Sequence, residues 1–479
     1  MLRNGAQFLE GLVDGRRVYY RGELVADVTR HPVLQVPARH SALLFDLHFD
    51  PELQPELVTT DDTGETISTF YRAPASTDDL LRRSRLIEAT TRRSRGVFNI
   101  AKVIGSDALW ALHIVTAALD RSRGTDYRRR VLEYHRHVAH GDRAVSVAQT
   151  DVKGDRSLRP HQQADPDLYV RIRERRSDGI VVRGAKAHIT QAQVADELIV
   201  IPSRSLTPED ADYAVAFAVP VHAPGITMIT RPMVELEGAL HPVEGPRVRY
   251  NTLTEALVVF DDVFVPWERV FLAGETEYAS RLALTFALWH RFSAISYRAV
   301  QAELMAALAR EIAEANGIAD KSHVRRNLVE LILLAEVQRM AAHLAAYRCR
   351  IDPLTGIAYP DPLCVNLGKL YSNTHYLSAT QAFIDCAGGL AATAPSGDDW
   401  AHPDLRPVLE KYLTGRATVS GERRFRLFLL ARELVGLLGG YENVTMVHAE
   451  GSIEASVIEI LRGYDFSAGR RIVEELLGA

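Results

Sequence analysis

The stretch L-Y-V-R-I-R-E-R-R-S-D-G-I-V-V-R-G-A-K-A-H-I-T, residues 168–190, decides the centre of the fold. In its first six residues, aliphatic side chains alternate with tyrosine and arginine, which is the pattern of a strand with one buried face. Asp178-Gly179 is a pair that favours a tight turn, and residues 180–183 resume the extended pattern. The sequence therefore predicts a β-hairpin in the middle of the chain.

Polar groups flank this hairpin at both ends. The loop Q-T-D-V-K-G-D-R (149–156) precedes it, and Lys186, His188 and Thr190 close its second strand. A sheet that carries such groups can bind a large planar ligand through hydrogen bonds. A solvated hairpin with a polar surface loop explains the same pattern equally well, so the residues alone leave both interpretations open.

The segments on either side of the hairpin divide the chain into three parts. Residues 1–143 are largely helical, with a capped helix start at S-T-D-D (76–79) and helices predicted over 107–119 and 127–140. Residues 144–272 contain extended runs that favour an antiparallel sheet or a small barrel. In residues 273–479 the helical period returns, and the predicted helices at 365–385, 406–413, 422–438 and 453–477 indicate a helix bundle. An α–β–α order of this kind favours a ligand that lies between the sheet and the bundle.

Composition excludes several function classes. The formal net charge is −5 in 479 residues, which gives no indication of a nucleic-acid surface. Apolar runs are far shorter than the roughly 20 residues of a membrane span, and no secretory signal is visible. Cys349, Cys364 and Cys386 lack a metal-binding spacing and fit buried thiols. We expect a soluble cytoplasmic protein.

Four longer motifs resemble the 4-hydroxyphenylacetate 3-hydroxylase family, and the 4-hydroxybutyryl-CoA dehydratase branch in particular. The motifs are G-I-V-V-R-G-A-K-A-H-I-T (179–190), D-Y-A-V-A-F-A-V-P (212–220), V-V-F-D-D-V-F-V-P-W-E-R-V-F (258–271) and G-G-L-A-A-T-A-P-S (388–396). The resemblance implies an α+β, acyl-CoA-dehydrogenase-like fold: a helical N-terminal domain, a β-barrel middle domain and a C-terminal helix bundle. It also implies non-covalent FAD between barrel and bundle, and a homotetramer or a homodimer.

The same resemblance implies which residues contact the flavin. Glycines let backbone N–H groups approach a pyrophosphate, and cations offset its charge. The Gly388-Gly389 turn and the Pro395-Ser396 pair are expected to reach the flavin across a subunit boundary. Within one chain, the expected contacts are Gln149, Thr150, Lys153, Asp155, Arg156, Lys186 and Thr190.

One departure from the dehydratase branch bears on the chemistry. That branch binds a four-iron, four-sulfur cluster through a Cys-x3-Cys pair and a His-x6-Cys pair, and the aligned residues here are Asn99, Val103, His290 and Tyr297. Only the histidine remains, and an iron–sulfur cluster needs thiolates. We therefore predict no cluster and no metal site. Further on, Ala294 and Arg298 replace a tyrosine and a lysine of that branch.

Candidate catalytic groups survive around these positions. His290 beside a flavin is suited to acid or base work near neutral pH, or else it is a hydrogen-bonded core residue. Glu255 and Glu454 are candidate catalytic carboxylates. Alternatively, Glu255 is a surface residue of a strand, and Glu454 is a favourable carboxylate in the first turn of a helix. In the hydroxylase branch an arginine, a tyrosine and a histidine bind the phenol, and a loose alignment puts Lys102, Gly105 and Val147 there. Lys102 is then a candidate for holding an anionic group, or simply a solvated lysine.

Three functions remain open on this basis. The first is a monooxygenase that uses reduced FAD, FADH2. The sequence has no G-x-G-x-x-G motif with which to bind NAD(P)H, so a separate flavin reductase would supply the FADH2. The second is a dehydratase, isomerase or desaturase that acts on an acyl-thioester-like substrate. The third is a non-catalytic relative that keeps the flavin only as a structural ligand, or binds no flavin.

Overall fold

The computed structural model describes residues 1–237, 243–437 and 439–478. Helices dominate these ranges, and a π-helical turn at Glu433–Leu437 joins two of them. The helices are α1 Gly5–Gly11, α2 Gln35–Asp46, α3 Gln54–Leu57, α4 Thr77–Arg93, α5 Val103–Arg123, α6 Tyr127–His140, α7 Val234–Glu237, α8 Thr276–Ala315, α9 Ser322–Tyr347, α10 Pro362–Ala387, α11 Leu390–Thr393, α12 Gly397–Ala401, α13 Arg406–Leu413, α14 Gly421–Arg432, α15 Gly439–His448, α16 Ile453–Gly463 and α17 Ser467–Leu477.

The strands lie mostly between α6 and α8. They are β1 Val18–Tyr20, β2 Glu23–Val25, β3 Val58–Thr60, β4 Thr66–Ser68, β5 Val145–Ala148, β6 Arg171–Arg175, β7 Gly179–Thr190, β8 Glu197–Val200, β9 Val215–Pro220, β10 Ile226–Thr230, β11 Glu255–Pro266, β12 Val270–Ala273, β13 Arg350–Ile351 and β14 Ala358–Tyr359. The predicted hairpin is confirmed: β6 and β7 pair antiparallel, and Arg175 lies opposite Ile180 across the turn.

The predicted β-barrel is not confirmed. The strands of the middle region form two sheets, one of order β2-β1-β10-β11-β7-β6 and one of order β12-β9-β8-β5. No closed barrel is present among the described residues. Each sheet also contains a parallel pair, β1 with β10 and β5 with β8. Both β1 and β5 arrive from the helical N-terminal part, so they enter the sheets without the short hairpin connection that antiparallel pairing uses.

The predicted C-terminal helix at 453–477 is two helices, α16 and α17, with a break after Gly463. The apolar period continues through the break, which is why the sequence predicted one helix. At the break, the carboxylate of Asp465 accepts a hydrogen bond from the backbone N–H of Ser467 at 2.8 Å. A side chain that satisfies a free N–H in this way starts a new helix rather than continuing the old one.

The 40-residue helix α8 is the axis of the molecule. It packs against α4 and α5 of the N-terminal part and against α9 and α10 of the C-terminal part. By length and composition α5 is apolar enough to span a membrane, but 89% of its most apolar window is buried inside the protein, as in a core helix. Residues of α8 therefore face groups supplied by both helical parts of the chain.

Candidate functional site

The polar loop after β5 is held by Lys186. Its buried ammonium donates to the backbone oxygen of Gln149 at 2.8 Å, to the Asp151 carboxylate at 2.6 Å and to the Ile201 oxygen at 3.0 Å. All three of its N–H groups are thus used within the chain. A contact between Lys186 and a flavin would have to use the aliphatic stem of the side chain.

The other predicted flavin contacts of this loop remain accessible. Thr150 joins the loop to β7, because its backbone oxygen accepts from Ala187 at 2.8 Å. Gln149 donates from its side chain to the Ala283 oxygen of α8, at 3.4 Å. The predicted contacts that are exposed to solvent are Lys153, Asp155 and Arg156. This loop therefore joins the sheet to α8 while leaving charged side chains free of the core.

Glu255 and Thr190 face each other across two strands. They are register partners at the ends of β11 and β7, and the Thr190 hydroxyl donates to the Glu255 carboxylate at 3.4 Å. The Tyr441 hydroxyl from α15 donates to the same carboxylate oxygen at 3.1 Å. Burial, and then the negative charge of Glu255, raise the pKa of Tyr441 well above its usual value. A half-buried carboxylate thus lies where the sheet meets α15.

His290 lies on α8 opposite a buried carboxylate. Its Nδ1 atom is 3.5 Å from Oδ2 of Asp107, which is fully buried on α5, and its ring stacks on Phe286. The other oxygen of Asp107 accepts hydrogen bonds from Arg83 at 2.7 Å and from Ser293 at 3.0 Å. Neither His290 Nδ1 nor Asp107 Oδ2 has a hydrogen bond within standard distance to any described residue. The imidazole is therefore positioned by its stacking on Phe286, with its Nδ1 atom facing a carboxylate oxygen.

A buried ionic network lies further along α8. The Tyr297 hydroxyl donates to Glu450 at 2.8 Å, and the Arg298 guanidinium donates to the other oxygen of that carboxylate at 2.5 Å. Burial alone would raise the pKa of Glu450, but Arg298, His290 and Lys369 hold it below the usual value. The carboxylate is therefore charged at neutral pH, and its charge is balanced by neighbouring cations.

Lys369 on α10 completes this network. It is fully buried and donates to Asn373 at 2.8 Å and to the backbone oxygen of Gly451 at 2.7 Å. Burial lowers the pKa of Lys369 to about 7, with Glu450 opposing the shift. Lys369 is thus a buried cation that interacts electrostatically with Glu450, and perturbed groups of this kind are found at functional sites.

The positions that correspond to cluster ligands carry other interactions here. The Asn99 amide donates to the His40 backbone oxygen at 2.6 Å, and Val103 is a buried apolar residue. Tyr297 is engaged with Glu450 and stacks on Phe98, with ring centroids 4.2 Å apart. Within residues 1–237, 243–437 and 439–478, no group of three or more His, Cys, Asp and Glu side chains could hold a metal ion. The donor set does not fit an iron–sulfur cluster.

Lys102 is buried rather than solvated. Its ammonium pairs with Asp142, which is also fully buried, and lies 4.0 Å above the Phe45 ring. Burial lowers the pKa of Lys102 to about 8 against the opposing charge of Asp142. An anionic substrate group would have to displace Asp142. The two residues that align with the other phenol-binding positions, Gly105 and Val147, are buried and apolar.

The predicted glycine turn follows α10. Gly388 has a φ of +70°, and nothing lies within 4 Å of the position that a Cβ would take on Gly388 or Gly389. Ser396 accepts from the Asp399 N–H at 3.1 Å and thereby caps α12, directly after the half-buried Pro395. The helix that follows the turn, α11, packs on α10 and α14. The turn is thus an open, exposed backbone segment at the edge of the bundle.

Two buried charged groups near the candidate site, Glu450 and Lys369, were not predicted from the sequence, and one predicted carboxylate is exposed. Glu454 lies exposed in the first turn of α16, as its alternative interpretation describes. The buried carboxylate of this region is instead Glu450, whose φ of +57° lies in the left-handed region that few residues adopt. Lys369 had a signal in the sequence, because it sits at helical spacing between Val365 and Tyr376 on a buried stripe of α10. A lone lysine on such a stripe must have buried partners.

Comparison with known proteins covers the whole chain. The family model "4-hydroxyphenylacetate 3-hydroxylase N terminal" matches residues 4–272, and "4-hydroxyphenylacetate 3-hydroxylase C terminal" matches residues 279–478. The 4-hydroxybutyryl-CoA dehydratase/vinylacetyl-CoA-Delta-isomerase of Clostridium aminobutyricum is 32% identical over all of both chains. The 4-hydroxyphenylacetate 3-monooxygenase oxygenase component of Thermus thermophilus is 30% identical over 91% of this chain and 88% of its own.

Solved structures of both kinds share the fold. An oxygen-tolerant archaeal 4-hydroxybutyryl-CoA dehydratase from N. maritimus superposes with a TM-score of 0.92 at 30% identity, covering 100% of this chain and 95% of its own. An oxygenase component of 4-hydroxyphenylacetate 3-monooxygenase complexed with FAD and 4-hydroxyphenylacetate superposes with a TM-score of 0.90 at 26% identity, covering 99% and 98%.

Proposed function

Because the chain belongs to the 4-hydroxyphenylacetate 3-hydroxylase family, we propose that it is the oxygenase component of a two-component flavin monooxygenase. It takes reduced FAD from a separate flavin reductase and hydroxylates a small organic substrate. Relatives that are named as oxygenase components of phenol monooxygenases support this assignment. When bound, reduced FAD supplies the electrons with which O2 is activated.

The observation that carries the proposal is the donor set around Tyr297. Where the resemblance implies a metal ligand in the dehydratases, this chain has a phenol that donates to Glu450. Asn99 and Val103, at two further ligand positions, have a satisfied amide and an apolar side chain. A dehydration that depends on a metal as Lewis acid therefore lacks its ligands here, whereas a flavin oxygenation requires none of them.

The residues of the sheet and the glycine turn fit FAD as a ligand. The loop at 149–156 presents Lys153 and Arg156 in the exposed state that an anionic pyrophosphate would need. At Gly388 and Gly389 the space beside the backbone is open, so a phosphate could approach the N–H groups closely. We propose that these two elements hold one FAD from two different subunits.

His290 is the proposed base for the substrate hydroxyl. Oxygenation of a phenol is helped by removing the hydroxyl proton, since the phenolate ring is the stronger nucleophile. The Asp107 carboxylate, 3.5 Å from Nδ1, favours the tautomer that is protonated at Nδ1 and leaves Nε2 as the proton acceptor. Phe286 stacks on the ring and fixes its plane. The Tyr297–Glu450–Arg298 hydrogen bonds order the next part of α8.

O2 consumption tests the proposal directly. Purified protein is supplied with FADH2 from a flavin reductase and with a panel of phenols, and oxygen uptake and hydroxylated product are measured together. Product formed in proportion to O2 supports a monooxygenase. No product from any phenol, combined with anaerobic turnover of an acyl thioester, would refute it.

A second function is favoured by the Glu255 pair and by the likeness to the dehydratases. Glu255 accepts hydrogen bonds from two neutral hydroxyls, Thr190 and Tyr441, which orient the carboxylate without pairing its charge. Such a carboxylate is suited to removing a proton from carbon. In this alternative the protein is a redox-neutral or dehydrogenating flavoenzyme that acts on an acyl thioester without an iron–sulfur cluster. Turnover of 4-hydroxybutyryl-CoA or a related thioester under strict anaerobiosis would select it.

We also propose that the chain assembles into a homodimer or homotetramer. No residue of α17 is buried, although Ile472, Val473, Leu476 and Leu477 form an apolar face that is 51–81% exposed. An isolated helix of 11 residues is marginal in water, so this face needs a partner. Exposed aliphatic residues on α9, such as Val329, Leu333 and Met340, offer a second copy a matching surface.

A further inference from the structure

A cavity of about 360 Å3 opens beside the middle of α8. Its walls come from the segment after α4, from α8, from the segment before β11 and from α14, and they are mainly apolar. The apolar lining residues are Gly96, Pro246, Val300, Leu304, Ala307 and Leu430. The volume lies in the range of sites that bind small organic molecules.

The arginines that line this cavity differ in whether a carboxylate neutralises their charge. Arg92 and Arg247 also line it, but both have carboxylate partners: Arg92 pairs with Glu303 at 2.8 Å, and Arg247 bonds to Glu433 and Glu442. Arg95 differs from both, because its hydrogen bond goes to the backbone oxygen of Pro246 at 2.8 Å. In the described ranges no carboxylate forms an ion pair with it.

Arg95 is nevertheless fixed in position. Its guanidinium lies 3.8 Å above the centre of the Tyr250 ring, a cation–π contact that holds an exposed arginine in one place. The carboxylate of Glu303 also lines the cavity, but it is already paired with Arg92 and Arg339. The mainly apolar cavity therefore has, at Arg95, a positive charge that forms no ion pair within the described ranges. An apolar chain that ends in a carboxylate or phosphate complements both features.

The cavity adjoins the candidate site along α8. Phe98, two residues after the lining glycine, stacks on Tyr297 with ring centroids 4.2 Å apart. Val300 lines the cavity and is three residues beyond Tyr297 on α8, a rise of about 4.5 Å. Arg247 lines it as well and bonds to Glu442 of α15, the helix that carries Tyr441.

We propose that this cavity binds the far end of the substrate: an apolar chain with a terminal anionic group, whose reacting end lies along α8 towards His290. This inference rests on the proposed function and narrows its substrate class from any small organic molecule to elongated amphipathic anions. Leu304 and Ala307 contact the chain, and Arg95 contacts the terminal charge.

Binding of decanoate to the FAD-loaded protein tests the cavity without any turnover. Ala307 is exposed, so Ala307→Phe fills the cavity from the solvent side; we expect decanoate affinity to fall at least tenfold, while Ala307→Ser stays within twofold. Arg95→Gln should weaken binding at least fivefold. Its matched control is Arg93→Gln, a neighbouring arginine that pairs with Glu52 and does not line the cavity. Unchanged affinity in Ala307→Phe and Arg95→Gln, or no saturable binding to the wild type, overturns the inference.

A second probe separates this inference from the proposed function. We expect 10-(4-hydroxyphenyl)decanoate to displace decanoate and to change the absorption spectrum of bound FAD, with both effects lost in Ala307→Phe. A short phenol, 4-ethylphenol, should change the spectrum equally in wild type and variant. If no phenol changes the spectrum, the proposed function fails while the decanoate series still decides whether the cavity binds a chain. If the long phenol does not displace decanoate, the cavity is not the far end of the substrate site.

Discussion

Glu450→Gln is the most informative single change in the buried network. It keeps the shape of the side chain and an oxygen that can accept from Tyr297, but it removes the negative charge opposite Arg298. Both Arg298 and Glu450 are nearly inaccessible, with side-chain exposures of 0% and 3%. The variant would therefore leave a buried guanidinium without its counter-charge.

The expected cost is large. At the 2.5 Å separation of the two groups, the attraction is roughly 6–7 kcal/mol at an effective dielectric constant of about 20. Desolvation offsets part of this, and removing one partner of a buried pair typically costs about 3–5 kcal/mol. Lys369 adds a pH dependence to the cost. Because Glu450 helps to keep a proton on Lys369, whose pKa is about 7, the variant should be destabilised more at pH 6 than at pH 8.

Urea denaturation followed by tryptophan fluorescence and circular dichroism measures this cost. The control is Glu314→Gln, which breaks the exposed Arg310–Glu314 pair on the same helix and should cost about 0–0.5 kcal/mol. Adding Arg298→Met to Glu450→Gln removes both charges, so the double variant should be more stable than Arg298→Met alone. A Glu450→Gln variant that unfolds within about 1 kcal/mol of Glu314→Gln, at an unchanged denaturant slope, would refute the buried-pair reasoning.

Three further predictions concern the base, the lysine and the assembly, and a fourth concerns the flavin turn. His290→Ala should lower turnover about 10²–10⁴-fold with FAD affinity nearly unchanged, as read by product assay and flavin titration; a wild-type rate would remove His290 from the mechanism. Between about pH 7 and 10.5, Lys369 binds fewer protons in the folded than in the unfolded protein, so its contribution to the free energy of unfolding rises with pH across that window. The free energy of unfolding, measured at pH 6.5 and 9, should therefore rise more in the wild type than in Lys369→Met. An equal change in both proteins would contradict this prediction. Deleting the residues after Phe466 should reduce the assembly mass measured by light scattering towards the 53.2 kDa of one chain, and an unchanged mass would exclude α17 from the interface. Gly388→Ala should weaken FAD at least tenfold, whereas Gly317→Ala, at the same φ of +70° with equally open space, should not; equal effects would mean that strain alone is responsible.

Local patterns in the sequence predict most of the elements. The helix Tyr127–His140 and the helix Arg406–Leu413 begin and end where the apolar period places them. Local sequence patterns do not reveal which distant strands pair. The parallel contacts of β1 with β10 and of β5 with β8 join segments that no local period relates, and they explain why a simple antiparallel arrangement was expected. The open edges of both sheets have the same origin, since closure depends on strands distant in sequence.

In the site, too, local patterns predict some residues, whereas others depend on tertiary packing. Thr190 and Glu255 are brought together by one strand register; Thr190 ends one of the four motifs, and Glu255 lies three residues before another. Glu450 and Lys369 come from a loop and a helix that meet only through tertiary packing. Lys102 was a candidate site residue, but it is buried and paired with Asp142. Its isolated position in the sequence gives no sign of this partner, 40 residues later.

The buried network functions as one unit, and this limits how the chemistry of the site could change by single substitutions. Tyr297 is satisfied because Glu450 accepts its hydroxyl proton, and Glu450 is charged because Arg298 lies against it. Tyr297→Cys would therefore not recreate a metal site: Glu450 would lose a hydrogen-bond donor, and Asn99 and Val103 would still supply no thiolate. Tyr297, Glu450 and Arg298 thus form one coupled set, in which a single substitution leaves the other two without one of their partners.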